Sequence, residues 1–231
     1  MGAAKVTFTA AGVRQGLIRG QALGAGVFVY GLVFGVLASE RGLSLLQAAL
    51  MSLLVYSGTA QLAALQSWGS SPMVLPLVAS VLVINARYLL YGAAIQPWLS
   101  KVSRKQAYIS LFVLGDSNWA LSMREYALGA RDAGFVLGSG LSNFSFWMVG
   151  TLLGNVLAGG VPNPQALGLD FMLVAVAAAI SIEVWRSKAD IWPALAAAAV
   201  AWALHRWVPG GWYIVGAGLA GAAVGAWRHV D

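Results

Sequence analysis

The sequence predicts an all-α, polytopic helical membrane protein of about eight transmembrane segments. Of the 231 residues, 59% are hydrophobic and only 10% are charged, whereas an average soluble domain carries about 25% charged residues. The apolar residues also fall into successive runs of about 20, the length that crosses a bilayer. The 14 Lys and Arg residues are spread thinly along the chain, as expected of loop cations that orient membrane helices rather than of a nucleic-acid-binding patch.

The same composition excludes several classes of protein. The chain has no cysteine and only two histidines, so disulfides, thiolate metal sites and cysteine nucleophiles are ruled out. It contains neither an HExxH metal motif nor the GxxxxGK[ST] phosphate-binding loop. We therefore expect no metal, no cofactor and no enzymatic activity. We also expect that the function of this chain is not driven by ATP hydrolysis on the chain itself.

Short polar loops, several with glycine or proline, separate the candidate spans. Residues 1–19 carry Lys5, Arg14 and Arg19 and are expected to form a cytoplasmic segment, because basic residues favour the inside of the membrane. Residues 20–231 contain no inserted soluble domain and are expected to form a single transmembrane domain. The predicted spans are 20–38, 43–68, 73–96, 107–126, 134–158, 167–184, 190–207 and 211–227.

The first span contains a pair of glycines, Gly31 and Gly35, in a GxxxG spacing whose ordinary meaning is close helix packing. The run from Gly31 to Ala38 resembles the run from Gly150 to Ala158 in the fifth span. Transporters are often built from internal repeats with discontinuous helices. The alternative is a chance match between two Gly- and Leu-rich helices.

The second span is about 26 residues long, which allows it to tilt, break or re-enter the membrane. Near its centre lie Tyr56, Ser57, Gly58, Thr59 and Gln61. Small hydroxyl residues around a glycine permit unwinding, and freed backbone amides can then hold a carboxylate. The alternative is small-residue packing of an unbroken helix.

The third and fourth spans carry the charges that lie farthest from their ends. Arg87 lies ten residues before Pro97 and Asp116 ten residues after Gln106, so each is about 15 Å deep at 1.5 Å per residue. The two spans should run antiparallel, which predicts an Arg87–Asp116 pair or a shared polar cavity. Asn85 is two residues from Arg87, so a regular helix would point the two side chains to different faces.

Two readings of this pair stay open. It can be a structural ion pair that holds two helices together. Alternatively, the Arg87 fork binds a substrate carboxylate, while Asp116 binds an amine or carries a proton.

These residues, in this order, resemble the AzlC family of branched-chain amino acid exporters over roughly residues 20–185. The resemblance includes the runs Met51–Gln61 and Asn85–Gly92, then Asp116. The family often has Thr-Asp-Glu at the last position, whereas this chain reads Gly115-Asp116-Ser117 and lacks the second acid. The resemblance also includes Gly31 to Gly35, Gly42-Leu43-Ser44 and Gly168-Leu169-Asp170-Phe171.

The resemblance implies the large subunit of a two-component exporter of valine, leucine, isoleucine or analogues, in a bacterial cytoplasmic (inner) membrane. It implies a small AzlD-type membrane protein as partner. We expect Arg87, Asn85 and the 56–61 stretch to bind substrate and Asp116 to couple transport to protons. The alternatives are a transporter or channel for another small solute, or a non-transporting structural subunit.

Overall fold

The computed structural model describes residues 6–66, 74–158, 187–208 and 212–228, together with Trp68 and Trp185. Within these residues the chain is helical, and the sole β contact is an isolated bridge between Thr7 and Asp132. The α-helices are α1 Ala10–Glu40, α2 Leu45–Val55, α3 Gly58–Gln66, α4 Val74–Asn85, α5 Arg87–Leu99, α6 Arg104–Phe112, α7 Asp116–Ala127, α8 Gly134–Leu157, α9 Ile191–Trp207 and α10 Trp212–Arg228.

Helix α1 begins ten residues before the predicted first span. Thr9 caps its N-terminus by accepting a hydrogen bond from the Gly12 N–H, and the Thr9 hydroxyl in turn donates to Asp132. This cap explains the early start, because an N-terminal side-chain acceptor satisfies N–H groups that lack a partner within the helix. The helix ends at Glu40, and Gly42 follows with a positive φ of 80°, a conformation that glycine adopts without strain.

Helices α1 and α8 form the principal packing interface of their unit. Their backbones approach so closely that a Cβ added to Gly31 would lie 2.6 Å from the Trp147 carbonyl oxygen, and one added to Gly35 would lie 2.7 Å from the Asn155 amide nitrogen. Small residues allow this kind of contact between membrane helices. The two similar runs, Gly31 to Ala38 and Gly150 to Ala158, thus lie on helices that face each other, while the internal repeat stays a prediction.

The second predicted span is two helices, α2 and α3. Tyr56 separates them with φ 39° and ψ 48°, and among the described residues it is the one non-glycine residue with a positive φ. A bulky side chain in this region strains the backbone by about 1–3 kcal/mol, and such strain is concentrated at functional sites.

The fourth predicted span, 107–126, is also two helices, which corrects our expectation of a continuous one. Helix α6 ends at Phe112 and α7 begins at Asp116. The Gly115 N–H donates to the Asn118 side-chain oxygen at 2.6 Å, so Asn118 caps the new helix from its first turn. The polar stretch Gly115-Asp116-Ser117-Asn118 lies at this break, and the span was predicted as continuous because hydropathy does not report capping.

The third span is interrupted only at Ala86, whose φ of −56° and ψ of −28° stay helical. The predicted spans 134–158, 190–207 and 211–227 correspond to α8, α9 and α10. The predicted span 167–184 lies outside the described residues. Three described helices are long and apolar enough to cross a membrane, Ala10–Glu40, Leu77–Leu99 and Gly134–Leu157, so the count of eight stays a prediction.

The chain divides into two compact units. One comprises Met1–Gln61 with Ala86–Gly160, and the other comprises Leu62–Asn85 with Val161–Asp231. In the second unit α9 packs against α10, and the Arg228 guanidinium lies 4.8 Å from the centroid of the Trp192 ring. The division into a cytoplasmic segment, 1–19, and a single membrane domain, 20–231, stays a prediction.

Candidate functional site

The candidate site lies in the first unit and is built on an ion pair between two helix starts. The Arg87 Nη2 lies 3.1 Å from the Asp116 Oδ2, and the side chains are 27% and 43% exposed. Arg87 is the first residue of α5 and Asp116 the first of α7. The equal depths read from the sequence predicted this meeting. Both side chains are thus half-buried.

The break between α2 and α3 brings two hydroxyls to the same guanidinium. Arg87 Nη2 donates to the Thr59 Oγ1 at 2.7 Å and to the Ser57 Oγ at 3.3 Å. An unbroken helix over 43–68 would point residues 57 and 59 in directions about 200° apart. The break at Tyr56 lets both hydroxyls face Arg87.

Arg87 and Asp116 each keep a polar atom without a hydrogen-bond partner among the described residues. Arg87 Nε and Asp116 Oδ1 are buried and have no hydrogen-bond partner in the described part of the chain. Buried polar atoms are almost always paired with protein, water or ligand. The pair therefore has one donor and one acceptor that match a molecule carrying both kinds of group.

Aromatic rings surround the pair, and the sequence reasoning did not assign them a role. The Tyr88 ring lies 5.5 Å from the Arg87 guanidinium carbon, and its hydroxyl donates to the Tyr56 carbonyl at 3.4 Å. Tyr91 stacks on Trp119 with ring centroids 4.4 Å apart. The available signal was the i, i+3 spacing of Tyr88 and Tyr91, which puts them on one side of α5 directly after Arg87.

Gln61, which the sequence grouped with the site, belongs to a different buried cluster. Its Nε2 donates to the Ser52 Oγ at 3.0 Å, and the Trp147 Nε1 donates to the same oxygen at 3.2 Å. The Ser52 and Thr151 hydroxyls are also 3.0 Å apart. This cluster ties α2 and α3 to α8 on either side of the break. A direct contact between Gln61 and substrate stays a prediction.

The remaining predicted site residues have other settings. An added Cβ at Gly58 would lie 2.9 Å from both Tyr30 and Trp147, so this start of α3 is closely packed. Asn85 ends α4 in the second unit, and its Oδ1 is buried with no partner among the described residues. In that same part of the chain, no group of three His, Asp or Glu side chains lies close enough to hold a metal ion.

The distribution of polarity is that of a membrane protein. Leu54, Leu75, Leu89 and Trp202 are between 73% and 79% exposed, whereas Ser52, Gln61, Asn118 and Thr151 are fully buried. Water-soluble proteins bury their apolar residues, while a bilayer satisfies an apolar exterior and leaves hydrogen-bonding groups inside. The apolar helices and the buried polar side chains together define a helical membrane protein.

Comparison with known proteins gives the family. The family model described as AzlC protein matches residues 22–161, and the chain belongs to the AzlC family. It is 29% identical over 217 residues to a membrane protein of Archaeoglobus fulgidus, covering 93% of this chain and 94% of that relative.

Two further relatives carry more specific names. The branched-chain amino acid transport protein AzlC of Bacillus subtilis is 24% identical, over 74% of this chain and 67% of its own length. The inner membrane protein YgaZ of Escherichia coli is 27% identical, over 62% and 61% respectively. No solved structure matches the chain.

Proposed function

We propose that this protein is a secondary exporter of branched-chain amino acids, with Arg87 and Asp116 as the two poles of its substrate site. The observation that carries the proposal is the half-buried ion pair, in which one donor, Arg87 Nε, and one acceptor, Asp116 Oδ1, have no partner among the described residues. An amino acid is a zwitterion, and its carboxylate and ammonium match these two poles. Charges within a membrane domain ordinarily mark the path of a substrate or an ion.

The substrate inserts between the two side chains. Its carboxylate binds the Arg87 guanidinium, whose planar fork suits two oxygens. Its ammonium binds Asp116, so neither buried charge loses its partner. The Thr59 and Ser57 hydroxyls hold Arg87 from the other side. The first N–H groups of α3, which begins at Gly58 beside Tyr56, add donors for the same carboxylate.

Export against a gradient requires a coupling ion, and Asp116 supplies a proton site. When Asp116 takes up a proton it loses its attraction for the substrate ammonium, which weakens binding and releases the amino acid. When it gives up the proton, substrate binds again. Proton and substrate thus alternate at one carboxylate, which is the condition for antiport.

The aliphatic selectivity is assigned to the rings beside the pair. Tyr88, Tyr91 and Trp119 present apolar surface next to Arg87, and the Bacillus relative is named as a branched-chain amino acid transport protein. One methylene in an apolar pocket contributes only about 1–3 kcal/mol. Valine, leucine and isoleucine should therefore be transported at similar rates.

The proposal includes a partner and a place. The chain acts as the large subunit beside a small AzlD-type membrane protein, in a bacterial cytoplasmic (inner) membrane. The naming of YgaZ as an inner membrane protein supports the location. The apolar outer faces of the helices supply surface on which a second membrane protein can pack.

The deciding experiment is valine counterflow in proteoliposomes that contain the chain with and without the small partner. We expect Arg87→Lys to reduce counterflow at least tenfold, because a lysine keeps the charge and loses the fork. Arg206→Lys, the same exchange in the last turn of α9, is the matched control and should transport normally.

Three outcomes would contradict the proposal. Full valine transport by Arg87→Lys would show that the Arg87 fork does not bind the substrate carboxylate. Flux of another solute in place of valine would indicate a different transporter or a channel. No flux with the native chain and its partner, together with loss of assembly in the Arg87 variant, would indicate a structural subunit.

A further inference from the structure

A groove between α5 and α6, separate from the ion pair, has the chemistry of a lipid site. Its volume is about 300 Å³, and it is open to the outside. The end at the loop between the two helices, which we call the polar end, carries Ser100 and Arg104 beside the apolar Leu99 and Val102, and the other, apolar end has no charged lining residue. Gln96, Ser100 and Arg104 line the polar end, and Gly92, Tyr108 and Leu111 line the apolar end.

The loop at the polar end carries three cations, and no acidic side chain of the described residues forms an ion pair with them. Lys101, Arg104 and Lys105 lie within five residues of one another, and no Asp or Glu occurs anywhere from residue 88 to residue 115. All three cations are exposed. The ion pairs recorded among the described residues join Arg19 to Glu125 and Arg87 to Asp116, and neither involves this cluster.

The apolar end contains free space that a larger side chain at Gly92 would fill. A Cβ added at Gly92 would meet nothing within 4 Å, so the glycine leaves free space on α5 rather than allowing a close helix contact. Tyr108 is 69% exposed and Leu111 37%. From Leu99 to Gly92 the groove runs about 10 Å along the helix axis, away from the basic loop and toward the middle of the span.

We propose that this groove binds one anionic phospholipid. Its phosphate pairs with Arg104 and accepts hydrogen bonds from Ser100 and Gln96, and one acyl chain lies over Gly92 against Tyr108 and Leu111. Basic pockets between membrane helices bind anionic headgroups in this way. A free phosphate ion would leave the apolar end unused.

The test is native mass spectrometry of the full-length chain released from detergent with equal amounts of phosphatidylglycerol and phosphatidylcholine. We expect the native chain to retain phosphatidylglycerol in preference, at least fivefold. Arg104→Gln should abolish the preference. Lys105→Gln removes the same charge from the next residue, which does not line the groove, and should lower retention by less than twofold. Gly92→Leu places a side chain in the groove and should reduce retention while every cation remains.

Each other result overturns the inference. Equal retention of the two lipids would show that the groove is not selective for an anionic headgroup. Equal losses in Arg104→Gln and Lys105→Gln would show diffuse attraction by the loop. Unchanged retention in Gly92→Leu, with displacement of the lipid by inorganic phosphate, would show an anion site without a chain groove. If Gly92→Leu elutes as an aggregate, the comparison of Arg104→Gln with Lys105→Gln decides.

Discussion

Arg87 organises the candidate site because four features of the chain meet at its guanidinium. Asp116 balances its charge, Thr59 and Ser57 accept its hydrogen bonds, and Tyr88 lies beside it. A charge deep in a membrane is costly unless it is paired and hydrogen-bonded. Yet Arg87 Nε has no hydrogen-bond partner among the described residues, which is the feature that the proposed substrate role uses.

Asp116 can be tested separately from Arg87. We expect Asp116→Asn to abolish stimulation of valine transport by a pH gradient, because an amide cannot take up and release the coupling proton. It should also weaken valine binding, since the substrate ammonium loses its counter-charge. The measurement is valine uptake into inside-out vesicles with and without an imposed pH gradient.

Asp116→Glu is the control, because it keeps a titratable group at the start of α7 and should retain part of the stimulation. If Asp116→Asn transported valine with unchanged pH dependence, the proton would be carried elsewhere. The substrate role of Arg87 would then be decided by the counterflow of Arg87→Lys alone.

At the scale of elements, the break between α2 and α3 depends on the cluster around Ser52. One buried hydroxyl accepts from both Gln61 and Trp147 and pairs with Thr151. These contacts join both halves of the broken span to α8. The cluster around Ser52 thus stabilises the strained backbone at Tyr56, and it does so without contacting Arg87 itself.

We predict that Ser52→Ala destabilises the protein by about 1–3 kcal/mol, the cost of leaving buried donors without an acceptor. The measurement is the thermal unfolding midpoint in detergent, followed with valine counterflow. Both should fall, because the Ser57 and Thr59 hydroxyls are positioned by the same break. Ser145→Ala on α8 removes an exposed hydroxyl that bonds only the Leu141 carbonyl and should change neither. Loss of stability with normal transport would show that the cluster does not position the site.

The α1–α8 contact makes a second prediction at this scale. Gly31→Leu should destabilise the protein by roughly 1–3 kcal/mol or more, since overpacking a tight interface forces backbone shifts. Gly26→Leu, five residues earlier on the same helix, meets open space and should leave the unfolding midpoint unchanged. Equal midpoints for the two variants would mean that the helices do not pack as closely as their backbones indicate.

The sequence predicted some elements better than others, for physical reasons. Hydropathy located α8, α9 and α10 because each is one uninterrupted apolar helix. It placed the start of α1 too late, since Arg14 and Arg19 interrupt the apolar run while the cap at Thr9 lies further upstream. It also missed the break before α7, because that boundary depends on the hydrogen bond that the Gly115 N–H donates to the Asn118 side chain, which hydropathy does not report.

The sequence predicted one part of the candidate site, the ion pair, and missed another, the cluster around Ser52. Depth along two antiparallel spans predicted the meeting of Arg87 and Asp116, although α6 ends at Phe112 and the chain is not one regular helix from Gln106 to Asp116. The allocation of Gln61 to a different cluster could not be read from spacing, because it depends on the direction of α3 after Tyr56. The roles of Ser52 and Thr151 likewise appear only when α2 meets α8, which lies about 100 residues later in the chain.

At the scale of the whole molecule, polarity is arranged for a bilayer. The exposed apolar side chains and the buried serine, asparagine and glutamine side chains are stable only where lipid surrounds the helices. Within such an exterior, packing against another membrane protein relies on shape and hydrogen bonds rather than on the hydrophobic effect. A partner should therefore bind through close-fitting helices and contribute to stability.

This leads to a prediction about assembly. A small AzlD-type protein of about four spans, roughly 80–100 residues at about 20 residues per span, should co-purify with the chain when the two are co-expressed. The complex should unfold at a higher temperature than the chain alone, because a ligand that binds only the folded state stabilises it. Valine counterflow should require both proteins.

An unrelated four-span protein of similar size, expressed at the same level, is the control. Full transport by the chain alone, with no stable complex, would show that the large subunit is complete by itself.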